Sequence, residues 1–357
     1  MTFPDTMAKS RSGERQRVPV LLRSAPCSFE SRNTSVMIRS EEIRDSASTA
    51  TAQVANNVAS AGYSQSYATP VAPGQVISLF VKGLNVPNAT ASADPWPTTL
   101  GGVRVVVAPN PQNLAYPTAL PILSVSSDPL ACAGDFTGFC KTTNIVVQIP
   151  YEPICAPNWF PPDCNYNVIY LTVQVNGVAG QGSWFSFDAG PQPHVLNSCD
   201  SISASHGESC NQAITHADGS LVGGSMQQGV SPAHPGEEIV IYAVGLGATA
   251  NAKTGRIVTV PDPLLQGVYF TPAIFTGTTL QFGAPIKADW AGLVPGFVGL
   301  YQMNVRLPPA VPGNIAVCGS LGGGIVRLFF GNFGNPAWLD TPNTAPFIDV
   351  CVASPSN

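Results

Sequence analysis

Few residues in this chain combine reactive side chains with close spacing. His216 and Asp218 can supply a base and the acid that orients it, which a serine or water nucleophile would need. No G-x-S-x-G elbow accompanies them. Asp218-Gly219 is also a hairpin-turn dipeptide, and that plainer reading leaves His216 exposed beside a turn. Cys199, His206 and Cys210 offer three zinc ligands, yet the chain contains no C-x-x-C knuckle. Residues 245–250, GLGATA, fit a relaxed dinucleotide fingerprint after an apolar stretch. That motif needs a helix next, whose N-terminus holds the pyrophosphate. The continuation NAKTGRIVTVPDP has Gly255, Pro261 and no helical period, so it reads as a strand-end turn. No calcium loop of D-x-D-x-D-G spacing occurs. The expectation is therefore a protein that is not an enzyme, with no catalytic residue, metal or cofactor.

Aromatic residues are the better candidates for ligand contact. Trp159 and Phe160 lie between Cys155 and Cys164, flanked by prolines, and Trp338 lies in GNFGNPAWLDTPN. A rigid loop presenting a flat ring can stack on a sugar or anchor a protein partner. Trp96, Trp184 and Trp290 sit in or beside strand-like apolar stretches and read as core.

Those loops must be held by something, and the cysteines suggest what. Nine are present. Cys27 stands alone in a polar N-terminal region, while the rest form sequential pairs: Cys132/Cys140, Cys155/Cys164, Cys199/Cys210 and Cys318/Cys351. The three short pairs bracket polar loops. Pairing is not fixed by sequence, but loop-closing disulfides are the simplest reading. Closing a loop of about ten residues stabilises by roughly 2.5–3 kcal/mol in the chain-entropy model. Such bridges persist outside a reducing cytosol, so the chain is expected to be extracytoplasmic. No signal peptide is visible: the apolar run VPVLL is cut short by Arg23.

Composition narrows the class further. Gly and Pro contribute 34 residues each, and charged residues make up only 10 % of the 357, against about 25 % in an average soluble domain. The first 50 residues carry eight basic and six acidic groups, which leaves 8 basic against 15 acidic in the remainder. A body that acidic cannot neutralise a phosphate backbone, so no nucleic-acid partner is expected. No apolar run reaches the roughly 18–20 residues of a membrane span.

Along the chain, residues 1–52 lack periodicity and read as a disordered or non-native extension. Residues 71–84, VAPGQVISLFVKGL, are a Pro-Gly turn followed by an alternating strand. In that strand Val76, Ser78 and Phe80 share one face, and Ile77, Leu79 and Val81 the other. Further strands are expected over 103–107, 121–125, 144–150, 168–175 and 183–187, with a hairpin at Asn176-Gly177. DAGPQP, 188–193, reads as a linker between a domain at 53–190 and one at 191–357. Beyond it, HPGEEIVIYAVGLG repeats the earlier segment: Pro73 to Gly83 and Pro235 to Gly245 have the same spacing, 162 residues apart. QMNVRLP echoes VVQIP about 158 residues on. Two matches at similar offsets, with turn signals and no amphipathic helix, predict two tandem antiparallel β-sandwiches.

The set VAPGQVISLFVKGL, PTTLGGVRVVV, NIVVQIPYE, LTVQVNGV, ADGSLV, HPGEEIVIYAVGLG and GLVPGFVGLYQMNVRLP resembles the Solibacter-type uncharacterised C-terminal domain family of secreted acidobacterial proteins. The likeness runs from about residue 53 to 330, and 292–308 is its most specific part. It implies Ig-like, IPT/TIG-like sandwiches in an extracytoplasmic module with no established activity. The short cysteine loops look like insertions into that core. The resulting expectation is an all-β, non-enzymatic adhesion or interaction module at the cell surface, meeting a protein or glycan. Carbohydrate binding through Trp159, Phe160 and Trp338 is the second reading, and a hydrolase using His216 the third.

Overall fold

The computed structural model describes residues 56–64, 67–108, 118–128, 142–152, 154, 168–188, 190–202, 211–224, 229–276, 279–309, 317–318, 323–331 and 347–353. The expected N-terminal extension, the loops holding Cys132, Cys140, Cys155, Cys164 and Cys210, and Trp159, Phe160 and Trp338 lie outside them. Among the described residues the chain is all β, in several antiparallel sheets arranged as sandwiches, and contains no helix.

Two sheets build the first core. One runs in the order 67–68, Asn57–Ser64, Val76–Lys82, Thr142–Gln148, Ile122–Asp128, 89–90. The other runs 178–179, Val168–Val175, Val103–Ala108, 118–119, with Ser183–Ser186 also paired to Val168–Val175. Their facing side chains, among them Ile77, Leu79, Val81, Val105, Ile145, Leu171 and Val173, form one apolar cluster. Two further sheets enclose a second cluster around Ile239, Ile241, Phe270, Tyr301, Met303, Leu328 and Val350. Its sheets are centred on the pair Glu238–Val244/Tyr301–Arg306 and on Tyr269–Thr276/Gly323–Phe330/Phe347–Val352.

The sequence echoes fall on equivalent strand pairs. Val76–Lys82 pairs with Thr142–Gln148 so that Ile77 faces Val147. Glu238–Val244 pairs with Tyr301–Arg306 so that Ile239 faces Val305. Those partners are displaced by the same 162 and 158 residues that relate the motifs. The glycines that open and close each repeated strand share a backbone state too. Gly74 and Gly83 have φ of 73° and 75°, and Gly236 and Gly245 have 78° and 77°. That left-handed region costs glycine less than any residue with a Cβ.

The Asn176-Gly177 hairpin forms with φ of 49° and 85° at its two turn residues, the signature of a type I′ turn. Cys318 and Cys351 are disulfide-bonded, with Cα atoms 5.6 Å apart, across two strands that flank Gly323–Phe330. Cys199 is disulfide-bonded as well. The expectation that Trp184 is core is overturned, since it is 50 % exposed. In Ser183–Ser186 alternate side chains take opposite faces, and Phe185 occupies the inward one against the first core.

Gly74 shows how tightly the turn chemistry is tied to packing. A Cβ there would fall 2.0 Å from Cε1 of Tyr151, whereas one at Gly177 would meet nothing within 4 Å. Gly74→Ala is therefore expected to cost about 2–5 kcal/mol from backbone strain plus a displaced ring, and Gly177→Ala only about 1 kcal/mol. Urea unfolding of the two variants checks this, and equal losses would refute the packing account.

Candidate functional site

The strongest cluster of reactive side chains grows from two turns. Asp218-Gly219 makes the expected hairpin turn, with Gly219 at φ 88° and the His216 amide donating to the Ser220 carbonyl at 2.9 Å. Its carboxylate, however, does not serve His216. Asp218 Oδ1 accepts from the Ser220 amide at 2.9 Å and from the Ser220 hydroxyl at 2.6 Å. Those bonds hold the carboxyl below its usual value. Nor is His216 exposed, as its position beside a turn suggested: its side chain is 13 % accessible. The second turn, 234–237, is closed by the Glu237 amide on the His234 carbonyl at 3.1 Å. It delivers Glu237 to His216, with Nδ1 2.6 Å from Oε1. The other carboxylate oxygen, Oε2, accepts from the His234 amide at 2.6 Å, so the acid is pinned at both ends. On the far side of the ring, Nε2 lies 3.0 Å from the Ser231 hydroxyl and 3.2 Å from the Ser231 carbonyl oxygen. Sequence reasoning selected the histidine and missed both partners, which lie 15 and 21 residues away.

A second concentration of polar groups sits where the two sandwiches meet. Segment 194–202 crosses the outer face of the first sheet. There Tyr63, Val76 and Val146 pack against Ile202 and Val244. Within this apolar contact the Ser201 hydroxyl lies 2.7 Å from that of Ser78, and its carbonyl accepts from Asn144 Nδ2 at 2.7 Å. The ring of His194 stacks on Tyr63 at 3.5 Å between centroids with an interplanar angle of 4°. His194 is held there by Asp200 at 2.9 Å. Gln75 completes the group: Oε1 accepts from the Ala72 amide and Nε2 donates to the Tyr63 hydroxyl.

The former dinucleotide candidate belongs to the same contact. No helix follows GLGATA. Instead the Thr249 hydroxyl and the Asn251 amide and side chain bond Asp262, which folds the segment back on itself. Its continuation docks on the first sandwich. The Gly255 amide donates to Gln148 Oε1 at 2.6 Å, the Trp96 amide to the Gly255 carbonyl at 2.8 Å, and the Tyr151 amide to Thr254 Oγ1 at 2.9 Å. Tyr301 gives its hydroxyl proton to the Gly247 carbonyl, so Tyr151, 3.0 Å away, donates to Tyr301. Burial raises all three phenols. Tyr151 is pushed up to about 12 against the opposing Tyr301 hydrogen bond, and Tyr63 and Tyr301 are raised well above the ordinary value.

Trp159, Phe160 and Trp338 are outside the described residues. Among those described, Trp184 presents a half-exposed ring, braced edge-on by Tyr170 at 5.3 Å. Neighbouring Gly182 has no room for a side chain beneath Tyr170. No group of three or more His, Cys, Asp or Glu that could hold a metal occurs among the described residues, and no helix there is long and apolar enough to cross a membrane. No protein-family model and no curated protein matches the chain.

The raised phenols make a pH prediction. An unfolded tyrosine ionises near 10, so between about pH 10 and 12 the unfolded chain has released a proton that folded Tyr151 keeps. The associated stability is complete below pH 10 and is lost as pH rises through 12. Urea unfolding at pH 8 and pH 11 is expected to show a smaller alkaline loss in Tyr151→Phe than in the wild type, by about 1.4 kcal/mol. Identical losses would contradict the buried phenol.

Proposed function

We propose that the chain is an extracytoplasmic, non-enzymatic module of the Solibacter-type kind, working in adhesion or as a structural and protein-interaction element at the cell surface. The observation that carries this reading is the contact between the sandwiches. Its buried and half-buried polar groups, from Gln75 and Ser201 to Gln148 and Asp262, are committed to fixing turns and joining the two cores. A pair of sandwiches fixed in this way forms a stiff spacer that presents surfaces at a set distance. The Cys318–Cys351 bridge supports the compartment, because disulfides persist in oxidising surroundings. Its separation of 33 residues corresponds to about 3–4 kcal/mol of chain-entropy stabilisation.

Displayed on a non-adherent bacterial cell, the intact chain is expected to raise cell attachment several-fold. Cys318 and Cys351 should stay closed to maleimide until reductant is added. Unchanged attachment would sink the adhesive role, and thiols that alkylate without reductant would sink the compartment.

Carbohydrate recognition is a second reading, favoured by Trp184. A half-exposed indole with an aromatic wall beside it suits stacking on a sugar face. Trp184→Ala is expected to abolish retention on whichever glycan of a surface-polysaccharide array holds the wild type. No retention of the wild type on any glycan, or equal retention of both proteins, would remove this reading.

A further inference from the structure

We propose that Ser231 is a nucleophilic serine that accepts an acyl group from an activated ester, with His216 as its base and Glu237 as the residue that positions that base. This acceptor chemistry is independent of the adhesive reading. It rests on the line Ser231 Oγ, His216 Nε2, His216 Nδ1, Glu237 Oε1, with separations of 3.0 Å and 2.6 Å. A nucleophile within hydrogen-bond reach of a base, which a third group orients, is the arrangement that activates a hydroxyl.

The tautomer follows from the acid. Glu237 is pinned by the His234 amide at 2.6 Å, so it cannot turn away, and a carboxylate 2.6 Å from Nδ1 requires a proton on that nitrogen. In the neutral ring Nε2 is then bare and faces the Ser231 hydroxyl. When Nε2 takes the hydroxyl proton, the imidazolium meets a carboxylate on one side. On the other side the Ser231 carbonyl oxygen, 3.2 Å from Nε2, accepts the new N–H. Both ring N–H groups therefore have an oxygen acceptor at the moment of transfer.

The backbone supports the geometry. The His216 amide and carbonyl are both bonded within their hairpin turn. The Ser231 carbonyl accepts from the Gly223 amide at 3.0 Å, and Pro232 follows. His216 and Glu237 are 13 % and 22 % accessible, whereas Ser231 is exposed. The base and acid are thus shielded while the hydroxyl stays open to a donor.

The step balances. Oγ bonds the acyl carbon and its proton passes to Nε2. The bond from acyl carbon to leaving oxygen breaks, and the leaving phenolate takes the proton back from Nε2 as a phenol. The products are acyl-Ser231 and neutral His216.

The test uses the intact, disulfide-bonded chain with p-nitrophenyl acetate, and mass spectrometry of the digested protein locates the acetyl group. Ser231 is expected to acetylate at least ten-fold faster than any other serine, since a positioned base contributes roughly 10²–10⁴-fold. Ser231→Ala should lose the label. His216→Ala should slow it at least ten-fold, with the rate restored by added imidazole, and Glu237→Gln should slow it as well. Asp218→Asn should slow it far less than Glu237→Gln, because the Asp218 carboxylate bonds Ser220 and not the His216 ring. His216→Gln keeps a polar side chain of similar reach but supplies no base. Slow labelling in this variant with an unchanged thermal melt separates lost chemistry from lost fold. Ser231 labelling no faster than that of other serines would overturn the proposal. So would a His216→Gln rate equal to wild type, or a His216→Ala rate that imidazole does not raise.

Discussion

The strand pair Val76–Lys82 and Thr142–Gln148 is buried on both faces, and the rest of the molecule depends on that burial. One face, carrying Ile77, Leu79, Val81, Ile145 and Val147, closes the first sandwich core. The opposite face would otherwise meet water, yet Val76, Ser78 and Val146 on it are all buried. The second sandwich covers it, with Ile202 and Val244 supplying the apolar contact and Ser201 meeting the polar groups. Two sheets that share such a surface cannot separate without exposing it. This makes the tandem stiff rather than a pair of beads on a flexible string.

Stiffness then rests on turn geometry. Gly74 lets the backbone pass beneath Tyr151, and Tyr151 reaches Tyr301, which reaches Gly247 in the second sandwich. A chain of contacts thus runs from a glycine turn in one unit to the strand-end turn of the other. The equivalent turn in the second unit, 234–237, is used differently. There Glu237 caps its own turn and extends to His216. One duplicated element therefore joins the two sandwiches in its first copy and arranges a histidine, a serine and a carboxylate in its second.

Much of this was legible in residues that act locally. Alternation in VISLFVK named the two strand faces, Asn176-Gly177 named its hairpin, and Pro-Gly pairs marked the turns. The matched offsets of 162 and 158 residues anticipated two equivalent strand pairings. Cys318 and Cys351 were paired as neighbours in order and are bonded. The candidate site was legible only in part. His216 stood out as a histidine beside a turn, but the near acid Asp218 was the wrong partner because a short Asp side chain at a turn bonds the next amides first. Trp184 was misplaced because two adjacent bulky side chains, Trp184 and Phe185, competed for one inward position.

What the sequence determined by itself was the period, the turns and the duplication, since each depends on side chains and dihedrals within a few residues. Tertiary structure alone decided what covers the outer face of the first sheet, which carboxylate reaches His216, and that Trp184 rather than Phe185 turns outward. A strand's alternation defines two faces but does not specify the surface that will lie against either one. That choice is made by contacts between segments distant in the chain, where apolar area removed from water and polar groups satisfied across the gap set the outcome together.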